Sequence, residues 1–113
     1  MSDSHPIDHD TLAALREVME DDFYHLIETY IGDSEQRLAS MQKALAAGNG
    51  EEVRRAAHSF KGSCSNLGAN GLVSRCQTIE DSAAKGELKG LEHLLVELQN
   101  EFNQVKNQLE IYQ

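Results

Sequence analysis

The residue best suited to chemistry in this sequence is His58, followed by Lys61 three positions on and then Gly62. On a helical wheel turning ~100° per residue, Arg54, Arg55, Lys61, Gly62 and Ser65 all fall within ~60° of it. Phe60, Leu67, Ala56, Val53 and Cys64 fall within ~60° of the opposite pole. The histidine therefore stands at the centre of a solvent-facing stripe, mid-helix, with the apolar residues turned to a core. An exposed neutral imidazole is a competent nitrogen nucleophile near neutral pH. Lys61, one turn away, puts an ammonium beside any phosphoryl oxygen that reaches the ring. Gly62 costs about 1 kcal/mol against alanine inside a helix, so it calls for a reason. Its wheel position is on the histidine side, where a missing Cβ lets a phosphoryl group or a partner's backbone come close. Ser63 and Ser65 offer further hydrogen-bond donors. A plainer reading stays open: an exposed helix histidine is usually only a surface residue, and Arg54 and Arg55 could simply pair with Glu51 and Glu52.

These residues need a helix to carry them and other helices to bury its far side. With a single proline and no tryptophan in 113 residues, the composition favours helix throughout. Five segments follow from the periodicity. Asp8 or Asp10 can cap the first, which places Leu12, Leu15 and Met19 on one face. The second starts near Asp21 or Asp22 and repeats apolar residues from Phe23 to Leu45 with a helical period. Gly48-Asn49-Gly50 ends it. The third, with His58, runs from about Glu51 to Leu67, and Gly68 terminates it. The fourth sets Leu72, Cys76, Ile79 and Ala83 on one side. In the last, Leu91, Leu95, Leu98, Phe102, Val105, Leu109 and Tyr112 step by four and three, a heptad seam. Short connections between long amphipathic helices favour antiparallel neighbours. The expected fold is all-α, an antiparallel up-down four-helix bundle with a short additional N-terminal helix. Residues 1–7, with Pro6 and no periodicity, read as a flexible tail, and 8–113 as one domain. The seam of the last helix fits a bundle face better than a coiled-coil dimer. That helix could project past the bundle and provide a secondary contact surface, and a stable truncation after about Gln104 would be consistent with the bundle reading.

Several functions are disfavoured. A formal net charge of −9 opposes nucleic-acid binding. No stretch approaches the ~20 apolar residues of a membrane span, which makes the cytoplasm the default location. Cys64 and Cys76 have no metal-ligand or redox-motif spacing and read as buried, reduced thiols. His5 and His9 lie among acidic residues, but no pair of inward-facing Glu-x-x-His motifs supports a bundle metal site. No glycine-rich nucleotide loop is present, so the chain is not expected to make phosphohistidine from ATP by itself.

The run Ala57-His58-Ser59-Phe60-Lys61-Gly62-Ser63-Cys64-Ser65-Asn66-Leu67-Gly68-Ala69 resembles the signature of the histidine phosphotransfer (HPt) domain family, A-H-x-L-K-G-S-x-x-x-x-G-A. Leu72, Cys76, Ile79 and Glu80 resemble the family's pattern on the following helix. Phe60 replaces the usual leucine, an apolar exchange on the buried side. The resemblance implies a phosphocarrier rather than an enzyme, phosphorylated on His58 at Nε2. Lys61 would balance phosphoryl charge and Gly62 would leave room for the partner's active site. Arg54, Arg55, Ser65, Gln77 and Glu80 would serve binding, with either Gln77 or Glu80 steadying the imidazole. The partners implied are response-regulator receiver domains and hybrid sensor kinases, in a multistep two-component phosphorelay of bacterial type. The carrier would be a monomer without a cofactor of its own, and Mg²⁺ would be supplied by the receiver. A relative that only binds receivers, without accepting phosphate, is the nearest rival reading.

Overall fold

In the computed structural model, residues 7–111 are described and form five helices. They are α1 (His9–Met19), α2 (Asp22–Ala46), α3 (Gly50–Asn66), α4 (Asn70–Ala84) and α5 (Leu91–Glu110). Helix α3 packs against α2 and most intimately against α4, and α5 closes the ring by touching both α4 and α2. The result is the expected four-helix bundle, with α1 laid against α2 as the additional short helix.

The helix ends follow side-chain chemistry. Asp8 caps α1 by accepting from the backbone N–H groups of Asp10 and Thr11, and its other oxygen accepts from the Thr11 hydroxyl at 3.0 Å. Asn49 caps α3 by accepting from Glu52 N–H at 3.2 Å. Asp21 precedes α2 without a capping bond from its side chain. At the α3–α4 turn Gly68 adopts a φ of 73°, and a Cβ there would lie 2.9 Å from both Asp8 Cβ and Thr11 Cβ. Asp8 N–H donates to Gly68 O at 2.8 Å, so α1 is fastened onto that turn.

This contact corrects the tail boundary. Ile7 is buried in the core rather than part of a loose segment, because the Asp8 cap and its bond to Gly68 anchor the chain from residue 7 onward. His5 and Pro6 lie outside the described residues.

Phe60, Val53 and Cys64 on α3 are fully buried, as the wheel requires; Ala56, expected on the same face, is only half-buried, and its neighbour Ala57 is fully buried in its place. Phe60 meets Phe102 of α5 edge-on at 6.0 Å between ring centroids, and Tyr30 of α2 reaches the same ring at 6.2 Å. Three helices thus meet on the back of the histidine-bearing helix. Of the heptad seam, Leu91, Leu95, Leu98, Phe102, Val105 and Leu109 are all buried, while Tyr112 lies outside the described residues. Leu109 has no exposure at all, so α5 packs on the bundle through its last turn. The tolerance expected for truncation after Gln104 does not fit this packing. Both cysteines are free thiols and buried, and burial pushes Cys64 up to about 12 and Cys76 higher still.

Helix α4 buries Leu72, Cys76, Ile79 and Ala83 and is also tied to α5 by charge. Arg75 donates to Glu101 of α5 at 2.6 Å and to Glu97 at 3.1 Å. The Glu101 carboxylate occupies the space where a Cβ on Gly71 would stand. The glycine in the first turn of α4 therefore gives a carboxylate of α5 its seat.

Candidate functional site

His58 projects from the middle of α3, with 64% of its side chain exposed. Beneath it, Ala57 and Phe60 are buried, so the amphipathic spacing of α3 fixes which way the ring points. The ring is steadied from α4. Its Nδ1 lies 2.9 Å from Glu80 Oε2. The other carboxylate oxygen of Glu80 accepts from Lys61 Nζ at 2.8 Å. One largely buried carboxylate, 15% exposed, therefore bridges the nucleophile and the ammonium.

Charge decides the tautomer. Hydrogen bonding from Lys61, followed by that from His58, holds the Glu80 carboxyl below its ordinary value of 4.5. Near neutral pH Glu80 is an ionised acceptor, so the proton of a neutral ring belongs on Nδ1. The lone pair is then on Nε2, the nitrogen that Glu80 does not engage.

Lys61 is held twice. Besides Glu80 it donates to Gln77 Oε1 at 2.8 Å, and Gln77 Nε2 in turn donates to Asp81 at 2.9 Å. Of the two α4 residues expected near the ring, Glu80 makes the contact and Gln77 positions the lysine instead. Gly62 is exposed, and a Cβ built on it would meet nothing within 4 Å. Among the described residues no packing demands a glycine there. The helix tolerates its cost on a face kept open beside the imidazole.

The remaining expected residues are arranged differently. Arg54 donates through two nitrogens to Glu51, and Arg55 reaches Glu51 at 3.3 Å and Glu52 at 3.5 Å. Both arginines lie on the His58 stripe, but their guanidinium groups are turned toward the start of α3. Ser65 is exposed one turn beyond Lys61. One neighbour escaped the wheel: Arg37 of α2, whose Nε donates to Ser59 Oγ at 2.8 Å. Such a contact depends on the axial offset between α2 and α3, which periodicity along one helix does not contain.

Among the described residues no group of three His, Cys, Asp or Glu side chains could hold a metal ion, and no helix is long and apolar enough to cross a membrane. The Hpt domain family model matches residues 25–108 of the chain. The chain is also similar to the crystal structure of histidine-containing phosphotransfer protein B (HptB) from Pseudomonas aeruginosa PAO1. That match has a TM-score of 0.93 and 40% sequence identity, and covers 97% of this chain and 96% of the other. No curated protein sequence matches the chain.

Proposed function

Since the chain belongs to the Hpt domain family, we propose that it is a histidine phosphotransfer protein whose phosphorylated residue is His58. The observation that carries this reading is the bridge from Glu80 to both the His58 ring and Lys61. That bridge gives an exposed imidazole a fixed tautomer with its free lone pair on Nε2.

The step is an in-line displacement. The Nε2 lone pair attacks the phosphorus of an aspartyl phosphate on a receiver domain; the N–P bond forms as the O–P bond breaks, and the aspartate leaves as a carboxylate. The ring keeps its Nδ1 proton throughout and becomes cationic on phosphorylation. Glu80, already accepting at Nδ1, stabilises that charge without moving. Lys61 balances the phosphoryl oxygens, and Gly62 leaves room for the incoming pocket. The reverse step returns the group to another receiver. Mg²⁺ belongs to the receiver's pocket in this scheme, and this chain contributes orientation and charge.

The carrier has no nucleotide site in this reading. Its donors and acceptors are receiver domains, free or fused to hybrid sensor kinases, which places the exchange in the cytoplasm. Burial of the α5 seam within its own bundle supports a monomer.

Incubation with a Mg²⁺-loaded, aspartyl-phosphorylated receiver domain is expected to put acid-labile, base-stable label on the wild type and none on His58→Gln. Because His58 is on the solvent face, the variant should melt within about 0.5 kcal/mol of the wild type. Label surviving in His58→Gln would mean that another residue is the acceptor. Binding without label would support an adaptor that only docks.

A further inference from the structure

Arg54, Arg55 and Arg75 each commit their guanidinium to glutamates. Arg37 does not. It sits on α2, partly buried, and donates through Nε to the hydroxyl of Ser59, the residue directly after the proposed nucleophile. Among the described residues Arg37 has no ion-pair partner. Both terminal nitrogens of its guanidinium keep their N–H donors, arranged in the planar fork that fits a carboxylate.

The rest of the surface makes this open cation consequential. With a net charge of −9 the chain repels an acidic partner at long range. Lys61, the cation nearest the ring, is already bonded to Glu80 and Gln77. Among the described residues Arg37 is a cation beside the His58 face with no carboxylate partner, oriented in advance by Ser59. Its anchor lies ~100° around α3 from His58, at the flank of the reactive stripe. From there it meets the rim of a docked domain, not the phosphoryl group.

We propose that Arg37 is a specificity-determining residue for receiver docking, forming a bidentate ion pair with a carboxylate on the receiver surface that surrounds its phosphorylation pocket. This rests on the phosphocarrier reading. It assigns partner selection to α2 and leaves the transfer step to α3 and α4.

The test is the transfer rate as a function of receiver concentration, using the Mg²⁺-loaded phospho-receiver that labels the wild type fastest from a panel. Arg37→Ala is expected to raise the half-saturating receiver concentration about three- to fivefold, and Arg37→Glu tenfold or more. The saturated rate should be unchanged in both. Arg37→Lys should recover part of the loss, since it restores charge without the fork. The half-saturating concentration of Arg37→Ala should also respond less to added salt. An unchanged half-saturating concentration would overturn the proposal. So would a fall in the saturated rate alone, which would place Arg37 in the transfer step. Failure of every receiver to label the wild type removes the phosphocarrier reading and this inference with it, and is told apart by the wild-type lane.

Discussion

Glu80 holds two groups that a transfer site must keep apart in role and close in space. Its carboxylate accepts from Lys61 and from the His58 ring through separate oxygens, so removing its charge should loosen both. Glu80→Gln is expected to slow transfer about ten- to hundredfold, the size of losing a charged hydrogen bond. It should also change the response to acid. The Glu80 carboxyl is held below 4.5 mainly by Lys61 and then by His58. A depressed carboxyl contributes stability that is complete above its unfolded value and is lost as pH falls through the folded one. The gap in urea midpoint between wild type and Glu80→Gln should therefore be wider near pH 6 and shrink as the pH falls below 4.5. An equal gap across that range would show that the ion pairs contribute nothing to folding. At this scale the sequence was legible up to a point. The 58, 61 and 62 positions follow from one helix and its wheel. Whether Glu80 or Gln77 touches the ring is a matter of how α4 is rotated against α3, and only the packed structure contains that rotation.

The helices explain why the histidine faces outward at all. Phe60 is fully buried and meets Phe102 edge-on, and Tyr30 approaches the same ring from α2. Phe60→Ala is expected to cost about 3–5 kcal/mol by urea unfolding, through lost transfer energy and the cavity left behind. Activity per folded molecule should fall far less than stability. A loss below about 1 kcal/mol would mean that the core refills the space. Periodicity located these five elements because each buries one apolar stripe, and stripes are local in sequence. It failed at Ile7, whose burial depends on Asp8 reaching Gly68, sixty residues away in the chain. It likewise offered no sign of Arg37 beside Ser59, nor of the seat that Gly71 makes for Glu101. Each of these joins two elements, and a spacing rule reads one.

Across the molecule, α5 is a full member of the bundle. Val105 and Leu109 are completely buried, and each such side chain contributes about 1.5–3 kcal/mol. A chain ending after Gln104 should thus lose a large part of a stability that is typically only about 5–15 kcal/mol. Calorimetry is expected to show a melting temperature lowered by well over 10 °C, or no cooperative transition. Unaltered melting would mean that the end of α5 packs only loosely. The larger arrangement also has a lineage to it. His58, Lys61, Gln77 and Glu80 all belong to the α3–α4 hairpin, whose turn at Gly68 is gripped by α1. The reacting part of the molecule is therefore a single continuous stretch of chain, while Arg37 lies before it. In a duplicated copy, changes confined to the α2 stretch could redirect a signal to a new recipient while the hairpin passed unaltered from parent to copy.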